Sequence, residues 1–419
     1  MSNHNNWQTF KLGQIASTTS GGTPSRKNLD YYGGSIPWVK SGELNDSYIE
    51  CTEETITLIG LKNSSAKLFP PETLLIAMYG ATVGRTAILK KAAATNQAVC
   101  AVFTDDTIDT SFLRFQLIYI RPEILKQRYG GAQPNISQNV IRNLTVSVPP
   151  LIEQRKIAAV LNLVQQAIEQ QERLIDLTTE LIKTLMHKLF KEGLYGELQK
   201  ETEIGLVPES WCVDSMKSFI SNSKYGLSQK GQDSGPIPIL RMTNQVGGYI
   251  DTHNLQYVDI PNDVLEKYRV CRGDLLFNRT NSFELVGRTA LFDINGDFVF
   301  ASYLIRITVD VQQMIPEFIN FYLNWDETQQ RLKSIATRSV SQSNISASRL
   351  GKFLVTIPPM DEQLTLVNIF QTLDDKRNLH LRKRSLLIDL FQTLLHQLMT
   401  AQIRVNDLDL SGLEEQLKE

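Results

Sequence analysis

The chain has 419 residues, 42% of them hydrophobic and 21% charged, with a formal net charge of -2. That length predicts two or three domains, and the composition is that of a globular chain, not a disordered or fibrous one. The near-neutral total excludes binding to nucleic acid by bulk charge, so any such surface has to be local.

No apolar run reaches the length of a membrane span. The start, MSNHNNWQTF, lacks the basic and apolar regions of a signal peptide. Cys51, Cys100, Cys212 and Cys271 are far apart and form no metal-type pair. They read as buried free thiols in a reducing cytoplasm.

Residues 1–145 form a first α+β unit. Ile36–Val39, Thr73–Met78 and Ala98–Phe103 read as strands, separated by Gly-rich turns such as Gly80–Gly84. Ser111–Tyr129 has a helical pattern. Next comes a long helix within 146–200, closed by a linker with Gly193, Gly196, Gly205 and Pro208.

Residues 201–354 repeat the first unit loosely. Ile36-Pro37 recurs as Ile237-Pro238, Val83-Gly-Arg-Thr-Ala87 as Val286-Gly-Arg-Thr-Ala290, and Asn135-Ile-Ser137 as Asn344-Ile-Ser346. Residues 355–419 repeat the helix. Val146–Phe190 and Val355–Met399 align without a gap, placing Pro149-Pro150 on Pro358-Pro359 and Glu153-Gln154 on Glu362-Gln363. The array is globule, helix, globule, helix, a duplication at half-chain scale.

The prolines suit an extended lead-in to a first helical turn. Ile157, Leu161, Val164, Ile168, Gln171, Ile175, Thr178, Ile182, Leu185 and Leu189 then follow in alternating steps of four and three, all but Gln171 and Thr178 apolar. That is a coiled-coil seam. Forty helical residues reach roughly 60 Å and cannot bury such a stripe alone. The expected partner is the other copy, giving an antiparallel pair with pseudo-two-fold symmetry. Arg377, His380 and Arg384 make the middle of the second copy polar.

Catalytic motifs are missing. The sequence has no Walker phosphate loop, no His-Glu-x-x-His helix, no Gly-x-Ser-x-Gly elbow and no Asn/Asp-Pro-Pro-aromatic methyltransferase loop. No catalytic, cofactor or metal residue is assigned. His187 and His396, at equivalent helix positions, read as structural.

Local charge is more informative. Ile124–Ile152 and Thr328–Met360 contain no acid. Both carry a polar loop, and Lys, Arg, Asn, Gln and Ser supply donors for phosphates and base edges. The first loop offers Arg128, Gln133, Asn135, Ser137 and Gln138; the second offers Arg338, Gln342 and Asn344. Loops after strands add Arg26, Lys40, Ser41, Tyr79 and Arg85 in the first globule. In the second they add Arg241, Thr243, Asn244, Asn278, Arg279, Asn281 and Arg288. The alternatives are that Asn and Ser cap the segments that follow, and that Arg85 and Arg288 are structural ion-pair partners.

Several of these stretches resemble the specificity subunit of type I restriction-modification systems. They are Pro149-Pro-Leu-Ile-Glu-Gln-Arg-Lys-Ile157, its echo Pro358-Pro-Met-Asp-Glu-Gln363, and Gly34-Ser-Ile-Pro-Trp-Val39. Gly80-Ala-Thr-Val-Gly-Arg-Thr-Ala87, Thr95-Asn-Gln-Ala-Val99 and Ile403-Arg-Val-Asn-Asp407 share the likeness. The resemblance implies two target-recognition domains, each reading half of a bipartite site on double-stranded DNA. It also implies helices that set the spacer, two docked methyltransferase subunits, motor-nuclease subunits, and no catalysis by this chain. Glu153, Gln154, Arg155, Glu362 and Gln363 are then the candidates for partner docking. The second copy departs after Gln363, with Leu-Thr-Leu-Val in place of Arg-Lys-Ile-Ala. The competing reading is a coiled-coil scaffold that never touches DNA.

Overall fold

The structure is a computed structural model that describes residues 7–128, 135–339 and 342–405. The chain divides into two compact units, Met1–Gln171 with Arg382–Glu419, and Glu172–Leu381. These units cut across the segments 1–145, 146–200, 201–354 and 355–419, because each long helix is shared between them.

In the first unit, strand Gln8–Lys11 pairs antiparallel with Thr145–Val148, Gln8 opposite Val148. A five-stranded sheet follows in the order Ala16–Ser20, Val99–Thr104, Leu74–Ala77, Thr86–Leu89, Tyr48–Ile49. Its middle strand is a continuous apolar run because both faces are covered. Leu74 and Ile76 point to one core with Leu113, Leu117, Ile124 and Ile141. Leu75 and Ala77 point to a second with Val39, Phe69, Ala87 and Val99. The period-two alternation of a strand separates the two sets. A second sheet runs Glu54–Ile56, Tyr32–Val39, Ala93–Thr95, Leu68–Phe69.

The helical pattern of 111–129 becomes two helices, Thr110–Tyr119 and Arg121–Lys126. Pro122, at the start of the second, lacks the N–H that a continuous helix requires there. Asp109 caps the first, its carboxylate accepting from Phe112 N at 2.8 Å.

The second unit repeats this plan. Cys212–Ser215 pairs with Leu354–Ile357. The main sheet runs Ile220–Tyr225, Leu304–Val309, Leu275–Asn278, Thr289–Leu291, Tyr249–Ile250, Gln245–Val246. The smaller one runs Gln256–Val258, Ile237–Leu240, Val299–Phe300. Of the four thiols only Cys100 is buried, and burial pushes it up to about 12. Cys51, Cys212 and Cys271 are exposed, against expectation: Cys212 opens the strand Cys212–Ser215, and Cys51 and Cys271 lie in connections between elements.

The duplicated stretches are helices over Leu151–Glu192 and Met360–Met399. Each unit holds the start of one and the end of the other. In the first, Ile157, Ala158 and Leu161 pack with Leu395, Leu398 and Met399, and with Phe112 and Phe115 from the globule. In the second, Phe190 meets Phe370 at 5.2 Å, and Phe318, Tyr322 and Trp325 at 5.4–5.8 Å. Start against end is the antiparallel sense the seam predicted. The partner of each apolar stripe is both the other helix and the globule. His396 and His187 lie at 6.0 and 6.1 Å from Tyr119 and Trp325 of their respective globules.

Candidate nucleic-acid interface

The two kinds of loop singled out by the sequence meet in each unit. In the first, the loop after Leu74–Ala77 bridges to the polar loop through Tyr79 and Asn135. Ile136 N donates to Met78 O at 2.9 Å. In the second, Thr280 pairs with Asn344, and Ile345 N donates to Arg279 O at 2.9 Å. The backbone plan is the same, but the side chains differ. The first unit presents Tyr79, 39% exposed, beside Asn135. The second builds a three-stranded edge from Thr280–Asn281, Ser343–Asn344 and Thr337–Arg338.

On that edge Asn344 donates to Thr280 Oγ1 at 2.6 Å. Arg338 lies 3.6 Å over the Phe283 ring, with Gln342 exposed beside it. Arg279 lies 4.7 Å over Tyr225 and donates to Ser302 O at 3.1 Å. Stacking orders each guanidinium while leaving in-plane donors available. Phe283 and Tyr225 were not foreseen. No motif marks them, and only the strand pairing brings them under the arginines.

The structure places other candidates differently. Arg26 makes a two-pronged pair with Glu54 at 2.6 and 3.2 Å, stacked on Tyr32. Lys40 joins Glu53 at 2.6 Å and Glu54 at 3.2 Å. The hydrogen bond from Arg26, with Lys40 beside it, holds the Glu54 carboxyl below the usual carboxylate range. Both cations are already neutralised within the unit. Ser41 opens a short 3-10 turn, Ser41–Glu43, next to them.

Asn244 is buried and is corrected to a structural role. It accepts from Arg241 N at 3.0 Å and donates to Asp251 O and Asn254 O. Arg241 donates to Asn254 O at 2.8 Å, while Thr243 is exposed. Asn278 is likewise buried, at the end of a central strand, and so is unavailable to DNA. Asn281 accepts from Ser282 N at 2.8 Å, and Ser137 caps Gln138–Arg142 by accepting from Val140 N at 3.2 Å. Gln138 donates to Thr18 Oγ1 at 2.9 Å, and Arg128 to Leu125 O at 2.8 Å. Arg85 and Arg288 are exposed and, among the described residues, form no ion pair. Gln133 lies outside the described residues.

The helix lead-ins also differ from expectation. Glu153, Gln154, Glu362 and Gln363 are buried. Gln154 accepts from Asp109 N at 2.8 Å and donates to Thr107 O and Pro149 O. Gln363 repeats this, accepting from Ile315 N at 2.9 Å and donating to Gln313 O and Pro358 O. Glu153 takes Trp7 Nε1 and Arg404 at 3.3 Å. Their polar atoms fasten each helix to its globule, so these four side chains are not a docking surface. Arg155 is exposed and is the member of the set that faces outward.

The fold and these edges define a duplicated α+β protein with two unlike heads on shared helices. Residues 4–179 and 212–387 each match the type I restriction modification DNA specificity domain, and the chain belongs to that family. Among curated relatives, it is 31% identical over 179 residues to the putative MjaX specificity subunit of Methanocaldococcus jannaschii, covering 42% of each chain. It is 21% identical to the MjaVIII specificity subunit of the same organism over 96% of this chain and 94% of that one. The chain thus spans less than half of the first relative and nearly all of the second. Among solved structures, the S subunit from M. genitalium superposes with a TM-score of 0.64 at 16% identity, covering 95% of this chain and 97% of that one.

Proposed function

We propose that this chain is the DNA-specificity subunit of a type I restriction-modification complex and that each unit reads one half of a bipartite site. The observation that carries this reading is the repeated junction between strand-end loop and polar loop. It is built at one register in both units and furnished with different side chains, Tyr79 and Asn135 against Thr280, Asn344 and Arg338. Equal backbones with unequal side chains suit two different half-sequences read in one frame. Arg, Asn and Thr are the donors and acceptors that base edges require.

The helices set the gap between half-sites and dock two methyltransferase subunits, with motor-nuclease subunits joining for restriction. Both helices run unbroken, over Leu151–Glu192 and Met360–Met399, as a rigid spacer requires. Half-sites on one face of B-DNA lie about 34–36 Å apart, within reach of rods of roughly 60 Å. The chain performs no chemistry of its own, and the complex works in the cytoplasm. Among the described residues no helix is long and apolar enough to cross a membrane.

Selection of duplexes from a random pool by the assembled complex tests this. A two-part motif with a fixed gap is expected. Inserting four residues between 158 and 188, about one helical turn, should change the gap and leave both half-sequences intact. A single contiguous motif would count against two half-site readers, and complex assembly with no DNA affinity would favour a scaffold instead.

A further inference from the structure

The second unit contains an open basin of about 570 Å³ whose lining includes Arg331, Ser334, Arg349, Lys352 and Phe353. Three cations share it, and no carboxylate is among its lining residues. The larger cavity of this unit, about 710 Å³, is different: Glu284, Asp326, Glu327 and Asp374 line it beside its own cations. Like charges gathered without counter-charge repel one another, and an anion relieves that repulsion.

The basin's two arginines are held in place by the fold. Arg331 donates to Leu354 O and Tyr322 OH and lies 4.6 Å over the Phe353 ring. Arg349 uses one guanidinium nitrogen, on Ile335 O at 2.9 Å and on Thr337 Oγ1. Its other N–H donors have no partner among the described residues, and a guanidinium carries five. Lys352 is exposed, and its ammonium has no partner among the described residues. A fork of donors beside a point charge is the chemistry that takes a phosphate group.

We propose that this basin binds a backbone phosphodiester of DNA flanking the half-site read by the second unit. The proposal rests on the DNA-reading function above. It gains its choice of ligand from continuity. Arg349 bonds Thr337, and Thr337 pairs with Asn344 on the three-stranded edge that carries Arg338. A phosphate held there fixes the register of that edge on the duplex, as backbone contacts do. Two of its three cations are not repeated at the equivalent positions of the first unit. At the duplication offset that aligns Asn135 with Asn344, Val140 and Asn143 stand where the second unit has Arg349 and Lys352.

The test uses the full chain in its assembled complex, with duplexes in which single phosphates are replaced by neutral methylphosphonates. In the wild type, neutralisation beside the second unit's half-site should weaken binding. Lys352→Ala should abolish that sensitivity, spare the other half-site, and lower the slope of log affinity against log salt by about 0.9 per lost contact. Arg349→Lys, which keeps the charge and loses the fork, should keep the slope but bind more weakly at that position. If Lys352→Ala still reads the bipartite motif with an unchanged slope and phosphate profile, the basin proposal is overturned and the DNA reading survives. A wild type that selects no bipartite motif overturns the DNA reading itself. Inorganic phosphate bound at Lys352 with an unchanged methylphosphonate profile overturns the assignment to DNA.

Discussion

The indole N–H of Trp211 donates to Glu362 Oε2 at 2.8 Å, tying the start of the second globule to the first turn of the helix that leaves it. The other oxygen of Glu362 accepts from Leu194 N at 2.8 Å, just past the end of the first helix. One buried carboxylate thus joins three segments. Trp7 and Glu153 repeat the pair at 3.3 Å, with Arg404 as the third member.

Glu362→Ala strands two N–H groups, and each costs about 1–3 kcal/mol when left unsatisfied in the interior. Scanning calorimetry should show a drop in the melting midpoint of the second unit, by about 2–4 °C per kcal/mol. Glu362→Gln keeps one acceptor and should fall between the two. An unchanged midpoint in the alanine variant would remove the carboxylate from the account of how the helix is anchored.

Burial separates two effects at the helix lead-ins. Gln363→Ala removes three hydrogen bonds from a fully buried site and should destabilise the unit by about 2–4 kcal/mol. Arg155→Ala, at an exposed position, should change stability by less than about 0.5 kcal/mol while weakening association with the methyltransferase subunits. Denaturant titration and subunit pull-down, made on the same two proteins, check this. Equal pull-down by Arg155→Ala would place docking elsewhere on the helices.

Glu54 restrains Arg26 and Lys40. Glu54→Gln releases both cations and should raise non-specific duplex affinity and steepen its salt dependence. Filter binding at several salt concentrations measures it. Lower affinity would mean that the ion cluster shapes the surface instead of masking its charge.

Burial raises the Asp374 pKa above its ordinary 3.8, outweighing the pull of Arg377 at 2.5 Å. A carboxyl with a raised folded pKa adds stability below 3.8 and loses it as pH rises through the folded value. Asp374→Asn has no such titration. The stability of the variant relative to wild type should therefore climb with pH across that window and then level off. A relative stability that falls with pH would show that the Arg377 pair dominates.

The sequence by itself determined the duplication, the two helices, the α+β character of the heads and the segments from which a DNA edge is drawn. These follow from local signals: an apolar period of 3.5, proline and glycine placement, and stretches cleared of acid. Tertiary structure alone decided the fate of individual polar residues. Asn135 and Asn344 sit on the edges, whereas Asn244 and Asn278 are buried, although by sequence all four read as equivalent candidates in loops or at strand ends. Glu-Gln after Pro-Pro reads as an exposed polar pair, yet strand pairing at 145–148 and 354–357 turns both side chains inward. Whether a cation is spent or available depends on partners far away in the chain, as Glu54 is for Arg26 and Phe283 for Arg338. Local pattern records which face of an element is apolar. It carries no record of which distant group arrives to satisfy a charge or a hydrogen bond.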